Sequence, residues 1–294
     1  MTADRRLLFV HAHPDDEAIP TGVTMAKYAA EGAAVTLVTC TLGEEGEVVA
    51  ADLGHLASMN EDRLGEHRIN ELREACDILG VQDVRILGGQ GRWRDSGMEN
   101  TPTNDHPRAF WQADLDEAVE ALVEVIRETR PQVVVTYNER GDYGHPDHIQ
   151  AHRVAVGAVD AARDAARCPG AGAPWDVAKL YYTAIPKSLL QLGMDYFKAA
   201  GEPGIFEGVT SVDDLPFGTP DELVTTRVLA RDRTEQKLAA LRAHRSQVAE
   251  NSEFFALPPE LAPLFWGAEH YQLVRGPRGP ADEDGYEPDL FAAL

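Results

Sequence analysis

Short apolar runs that alternate with amphipathic segments are the feature that most constrains the fold of this chain. Four runs rich in Val, Leu and Ile predict strands: "RRLLFV" (residues 5–10), "AVTLVTC" (34–40), "DVRIL" (83–87) and "PQVVVTY" (131–137). Helices are predicted at residues 17–31, 60–79, 114–130 and 147–167. Such alternation is typical of a parallel sheet covered by helices on both faces. The sequence therefore predicts an α/β fold with a doubly wound, mostly parallel, Rossmann-like sheet.

The alternation becomes less regular after residue 168, which divides the chain into three expected parts. Residues 1–168 are expected to form the Rossmann-like core. Residues 169–275 contain two predicted strands and one helix, and we expect a smaller mixed C-terminal region that completes a substrate cleft. Residues 276–294 are rich in Pro, Gly and acidic residues, which predicts a flexible tail.

The charge balance restricts the partners that this chain can bind. Lys and Arg number 27 against 49 Asp and Glu, and the resulting net charge of −22 repels nucleic acid and anionic lipid. A small-molecule substrate, neutral or cationic, is expected instead. The apolar run Leu7–Val10 is too short for a signal peptide or a transmembrane helix. Three scattered cysteines indicate a reducing compartment, so the expected location is cytoplasmic. The oligomeric state is not determined by the sequence.

Histidines and carboxylates are concentrated after the first and fourth predicted strands, in "HAHPDDE" (residues 11–17) and "GDYGHPDHIQAH" (141–152). In open parallel sheets, ligands bind outside the carboxyl ends of the strands. His13, Asp16 and His148 would supply the three N and O ligands that a catalytic Zn²⁺ site needs. One zinc ion per chain is therefore expected, although Fe²⁺ could use the same ligands. His152, one helical turn after His148, is a competing ligand, but we favour a supporting role for it.

The remaining polar residues of the two stretches suggest acid–base chemistry. Asp15 is placed to accept the proton of a water molecule as a general base. His145, in its protonated form, could stabilise an oxyanion or protonate a leaving amine, and Asp147 could keep it cationic. Tyr143 is a candidate hydrogen-bond donor to the developing oxyanion.

The two stretches together resemble the zinc-dependent N-acetylglucosaminyl deacetylase family, which includes the phosphatidylinositol-glycan deacetylase. The stretches "VTCTLGEEGEV", "EHRINEL" and "LGGQGRWRDSGM" resemble its mycothiol-biosynthesis branch, which removes acetate from N-acetylglucosaminyl-inositol. The resemblance implies zinc ligation and catalysis by the residues named above. It also assigns Arg68 and Asp95 to the inositol end of the substrate. Glu47, in the acidic "GEEGE" run, is a further candidate contact to a polyol.

Other functions remain to be compared with this hypothesis. The mycothiol S-conjugate amidase, from the same family, would be expected to carry a lysine within residues 18–21, and "AIPT" contains none. Another sugar N-deacetylase is a second alternative. A metal-dependent sugar-binding module is a further alternative, but binding alone would not need a second carboxylate, Asp15, beside the metal ligand Asp16. A dinucleotide oxidoreductase would need G-x-G-x-x-G after the first strand, which this chain lacks. His244, in "LRAHRSQ", could close over the site, but we interpret it as a surface histidine.

Overall fold

The computed structural model describes residues 4–200, 209–258 and 262–294, and its strands form one seven-stranded sheet. The strands are β1 (Arg6–His11), β2 (Ala34–Thr39), β3 (Asp83–Ile86), β4 (Val133–Thr136), β5 (Lys179–Ala184), β6 (Thr226–Leu229) and β7 (Ala268–Arg275). Their order across the sheet is β3-β2-β1-β4-β5-β7-β6. All neighbouring pairs from β3 to β5 are parallel, and β7 runs antiparallel to both β5 and β6. The predicted doubly wound, mostly parallel α/β sheet is confirmed.

Helices cover both faces of the sheet, because the strands are apolar on both sides. They are α1 (Gly22–Ala30), α2 (Leu64–Leu79), α3 (Leu115–Thr129), α4 (Gly141–Gly144), α5 (Pro146–Ala162), α6 (Lys187–Ala200), α7 (Thr234–Ala243) and α8 (Ala262–Phe265). Alternate residues of β1 enter different cores. Leu7 and Phe9 pack with residues of α1, α2 and α7, whereas Leu8 and Val10 pack with residues of α3 and α5. No helix in the described part of the chain combines the length and apolar character needed to cross a membrane.

Three helix ends differ from the prediction because tertiary contacts or backbone geometry set them. The first helix begins at Gly22 rather than residue 17, and the Glu269 carboxylate of β7 accepts the backbone N–H groups of Val23 and Thr24. The second begins four residues later than expected, after Asp62 adopts a positive φ of 53°. Helix α5, which was predicted to extend to residue 167, ends at Ala162. The guanidinium of Arg127 donates to backbone carbonyls at this end of the helix.

The C-terminal third extends the same sheet. Strands β5 and β6 lie within the segments predicted as strands, whereas β7 and α6 were not predicted. The β7 sequence "AEHYQLVR" carries charged and polar residues that weaken an apolar pattern, and its pairing with both β5 and β6 stabilises it instead. Pairing with strands that are distant in sequence therefore outweighs the weak local preference of this segment for a strand.

The segment 276–294 packs against the sheet, which differs from the flexible tail expected from its composition. The carboxylate of Glu287 is fully buried and pairs with the ammonium group of Lys179 from β5. Glu287 also accepts hydrogen bonds from Tyr181 and Thr226. Leu290 is fully buried in the core. Composition could not reveal this packing, because one buried ion pair and one apolar anchor hold an otherwise polar segment.

Candidate metal and catalytic site

The predicted ligands converge at the carboxyl ends of β1 and β4, which are neighbours in the sheet. This is the point where the chain switches sides, because β2 lies on one side of β1 and β4 on the other. His13 and Asp16 follow β1 directly. His148 lies in the first turn of α5, and His145 is the residue that caps this helix. All four residues are buried, with exposures between 2% and 7%.

Asp16 lies between two imidazole rings. Its Oδ2 atom is 3.5 Å from His13 Nδ1, and its Oδ1 atom is 3.5 Å from His148 Nε2. Tetrahedral zinc with ligand distances of about 2.0–2.2 Å separates neighbouring ligand atoms by about 3.4 Å. Burial alone would raise the pKa of Asp16, but the imidazoles of His148 and His13 hold it well below its usual value. The donor types therefore suit a divalent cation, and the two imidazoles contact different oxygens of the Asp16 carboxylate.

His13 is oriented by carboxylates on the other side of its ring. Its Nε2 atom lies 3.2 Å from Asp147 Oδ2 and 3.6 Å from Asp95 Oδ1. A carboxylate on one imidazole nitrogen keeps the proton there, and the other nitrogen stays free to bind a metal. The Asp147 carboxylate is also held by the backbone N–H and the hydroxyl of Ser96. Asp147 was expected to hold His145, but its carboxylate instead supports His13.

His145 is a neutral ring in this environment. Its Nδ1 atom accepts the backbone N–H of Asp147 at 3.1 Å, which leaves the proton of the ring on Nε2. Burial, together with the nearby His13 and His148 rings, lowers the pKa of His145 to about 3. The expectation of a protonated His145 is therefore not supported, because no carboxylate among the described residues forms an ion pair with its ring. Nitrogens of the three rings lie within 4.8 Å of one another, so His145 is also close enough to compete as a ligand.

Asp15 is held in an unusual backbone conformation at the edge of the cleft. Its φ angle is 120°, a region that residues other than glycine rarely adopt. The carboxylate accepts a hydrogen bond from Arg68 Nη2 at 3.1 Å, and 18% of the side chain remains exposed. The backbone N–H donates to Glu17 Oε2 at 2.9 Å. Burial raises the pKa of Asp15 to about 6, although the Arg68 guanidinium opposes this shift.

Tyr143 lies in the short helix α4 and lines the cleft. Its hydroxyl lies 3.5 Å from His148 Nε2, and the residue is 39% exposed. The preceding residue, Asp142, has a φ of 62° and accepts hydrogen bonds from Asn138 and Thr183, both at 2.9 Å. This anchored turn places the phenol hydroxyl next to the cluster of histidines.

The candidate substrate residues line one cleft of about 580 Å³ but differ in what they can contact. Arg68 is 2% exposed, and its guanidinium donates to Asp15 and to the backbone carbonyl of Gly43. Asp95 is 3% exposed and accepts the backbone N–H groups of Glu45 and Gly97. Glu47 is exposed on the cleft wall. Of the three, only Glu47 presents its side chain openly to a ligand.

Two other histidines of the motifs have structural partners. His11 is buried, with its ring nitrogens 3.1 Å from the Tyr137 hydroxyl and 2.9 Å from the Thr21 hydroxyl. His152 Nδ1 lies 2.9 Å from the backbone carbonyl of Tyr137. This contact orients the His152 ring toward the backbone of Tyr137, which agrees with the supporting role that we favoured.

His244 was interpreted as a surface histidine, and this prediction is wrong. The residue lies at the end of α7, is fully buried, and places its Nε2 atom 2.6 Å from Glu17 Oε1. Burial alone would lower the pKa of His244, but the Glu17 carboxylate raises it above the usual value. The apolar residues Leu238 and Leu241 of the same helix face the core, which was the only sequence signal for burial. Sequence reasoning also assigned no role to Ser96 and Asp142, although both lie within the quoted stretches "LGGQGRWRDSGM" and "GDYGHPDHIQAH".

Comparison with known proteins identifies the family. The family model described as GlcNAc-PI de-N-acetylase (PIG-L) matches residues 8–159. A 1D-myo-inositol 2-acetamido-2-deoxy-alpha-D-glucopyranoside deacetylase from Thermomonospora curvata is 60% identical over 293 residues, covering 99% of this chain and 97% of the relative. A protein of the same name from Geodermatophilus obscurus is 58% identical over 294 residues, covering 100% and 99%.

A solved structure supports the fold independently. The N,N'-diacetylchitobiose deacetylase from Pyrococcus horikoshii matches with a TM-score of 0.60, covering 92% of this chain and 84% of that chain at 18% identity. At this identity the likeness concerns the fold alone. The family match, in contrast, spans both histidine-rich stretches and half of the chain, and two relatives match almost its full length. The resemblance seen in the sequence is confirmed, and the chain belongs to the PIG-L family of GlcNAc-PI de-N-acetylases.

Proposed function

We propose that this protein is a zinc-dependent deacetylase that removes acetate from N-acetylglucosaminyl-inositol, a step of mycothiol biosynthesis. The observation that carries the proposal is the pair of adjacent carboxylates. Asp16 lies between two imidazoles as a metal ligand would, while Asp15 faces the cleft with a raised pKa. Metal-assisted hydrolysis of an amide uses a Lewis acid together with a base beside it. The substrate is taken from the names of the two relatives that match this chain over almost its full length.

The metal would be held by His13 Nδ1, Asp16 and His148 Nε2. We assign zinc because two imidazoles and one carboxylate are a common catalytic zinc set, with a position left open for water. When bound, the ion would activate that water and polarise the acetamide carbonyl. Asp147 would keep His13 in the correct tautomer, as carboxylates do for many metal-binding histidines.

The protein groups would then move the protons of the reaction. The Asp15 carboxylate accepts a proton from the attacking water, while the water oxygen forms a bond to the acetamide carbon. His145 Nε2–H and the Tyr143 hydroxyl donate hydrogen bonds to the carbonyl oxygen as negative charge develops on it. When the C–N bond breaks, the proton held by Asp15 passes to the departing nitrogen. Acetic acid, which loses its proton to solvent, and the free amine are the products, and Asp15 returns to its ionised form.

The substrate pose follows from the same cleft. The acetamide would lie against the histidine cluster, and the inositol would extend toward Glu47, whose exposed carboxylate can accept hydrogen bonds from hydroxyl groups. Arg68 and Asp95 would act mainly by shaping this wall, since their polar atoms are engaged with Asp15 and with backbone N–H groups.

Amine release from N-acetylglucosaminyl-inositol by the zinc-loaded protein tests the proposal directly. We expect chelation to lower the rate by about a hundredfold or more, because the metal supplies several kcal/mol of transition-state stabilisation, and added zinc to restore it. A mycothiol S-conjugate assayed in parallel separates the deacetylase from the amidase. Faster cleavage of the conjugate would move the chain to the amidase function. A zinc-loaded protein that releases amine from neither substrate would contradict the proposed substrate.

A further inference from the structure

Two consecutive hydrogen bonds connect the end of α7 to the proposed base. The His244 Nε2 atom lies 2.6 Å from Glu17 Oε1, and Glu17 Oε2 accepts the backbone N–H of Asp15 at 2.9 Å. The side chains of His244 and Glu17 are both fully buried. One carboxylate is therefore shared between a residue of the C-terminal third and the backbone of Asp15, although His244 and Glu17 are separated by 227 positions in the chain.

The backbone at Asp15 needs such an anchor. A non-glycine residue at a φ of 120° is strained and persists only where its surroundings hold it. The Asp15 carbonyl accepts the N–H groups of Ala18 and Ile19, but the Asp15 N–H donates to Glu17. If this contact is lost, the carboxylate of Asp15 is free to move away from its position beside Arg68.

His244 is suited to hold Glu17 in one orientation. Its Nδ1 atom is buried and has no hydrogen-bond partner among the described residues, so its side-chain polar contact is the one through Nε2. The segment that carries it is fixed independently, since Ser246 donates to the buried carboxylate of Glu71 through both its backbone N–H and its hydroxyl. The segment that carries the imidazole is therefore anchored by contacts other than the one to Glu17.

We infer that His244 is a positioning residue for the reaction: by holding Glu17, it fixes the backbone and hence the carboxylate of Asp15 in the orientation that accepts the proton. The inference rests on the proposed function, in which Asp15 is the base. It gives the C-terminal third a part in catalysis although that part of the chain supplies none of the proposed metal ligands.

Two amide variants of different length test the inference. In His244→Gln the side-chain amide reaches as far as the imidazole Nε2 and can still donate to Glu17. In His244→Asn the amide has the same chemistry but is one carbon shorter and cannot reach. We expect His244→Asn to bind zinc normally and to lose about ten- to a hundredfold in kcat with little change in KM, since small misplacements of a catalytic group have effects of this size. His244→Gln should recover most of the loss.

Amide hydrogen exchange of residues 12–18 provides a readout that does not depend on activity. We expect faster exchange at Asp15 in His244→Asn than in the wild type and in His244→Gln. Thr234→Val is the matched control, because it removes the hydrogen bond of a buried hydroxyl at the other end of α7 without touching Glu17. This control should lower thermal stability but leave kcat and exchange at Asp15 unchanged.

The outcomes separate the inference from the proposed function. Wild-type kcat together with wild-type exchange at Asp15 in a zinc-loaded His244→Asn variant would overturn the inference. A fall in kcat of equal size in Thr234→Val would also overturn it, because the effect would then be general loosening of α7. A wild-type protein without metal-dependent deacetylation would instead contradict the proposed function, and the exchange comparison would still decide whether His244 orders Asp15.

Discussion

Replacing Asp15 with asparagine is expected to lower kcat for deacetylation by about a thousandfold, within the range that a general base contributes. Asparagine has nearly the same shape, and its amide oxygen can still accept a hydrogen bond from Arg68. It has no basic carboxylate, however, so it cannot take the proton from water. Because the backbone contacts of Asp15 to Glu17 and Ala18 do not involve the side chain, the local fold should be preserved. Zinc content and the thermal midpoint should therefore stay close to those of the wild type.

The measurement is kcat and KM of the zinc-loaded variant, with metal content determined on the same sample. Asp105→Asn makes the same chemical change on an exposed 3₁₀ turn and serves as a control that should retain full activity. Near wild-type turnover in Asp15→Asn would remove Asp15 from the proton transfer. Loss of zinc along with activity would make Asp15 part of the metal site instead.

Replacing Lys179 with methionine is expected to lower the free energy of unfolding by about 3–5 kcal/mol, because removing one partner of a buried ion pair leaves the other charge uncompensated. Glu287 would keep its hydrogen bonds from Tyr181 and Thr226 but lose its counter-ion. Since Glu287 and Leu290 hold the C-terminal segment against the sheet, that segment should detach first.

Denaturant titration of the wild type and the variant measures this effect. Lys187→Met is the matched control, because Lys187 pairs with Asp213 at the surface, where an ion pair is worth less than about 1 kcal/mol. A Lys179→Met variant as stable as this control would show that the segment 276–294 contributes little to the folded state. Limited proteolysis of the same samples would locate the first cleavage sites.

The location of the candidate metal site could be predicted because the chemistry of its residues and their topological position agree. "HAHPDDE" and "GDYGHPDHIQAH" place imidazoles and carboxylates after two strands, and neighbouring parallel strands end at the same edge of a sheet. The assignment of Asp147 to His145 was wrong for a reason that sequence spacing cannot reveal. The two residues lie two positions apart at the start of a helix, and their side chains point in different directions. The contact between them is made by the backbone N–H of Asp147, which donates to the His145 ring.

The substrate residues show a similar limit. Arg68 and Asp95 were assigned to the inositol end by resemblance, and both do line the cleft. Their burial and their existing partners leave few polar atoms free, and this could not be predicted because it depends on the loops around them. The interpretation of His244 failed for the same reason. An amphipathic helix identifies its buried face, but the residue after the last turn can point either way.

The sequence by itself determined the sheet class, the edge where the candidate site lies and the kinds of side chain that it contains, because these depend on local hydrophobic periodicity and on residue type. Only the tertiary structure decided which partner each buried charge finds. Lys179 meets Glu287 from 108 positions away, and Glu17 meets His244 from 227 positions away. A buried charge must be paired or hydrogen-bonded, but many groups in a chain can satisfy that requirement. The choice among them is made by the packing of strands and helices that are distant in sequence.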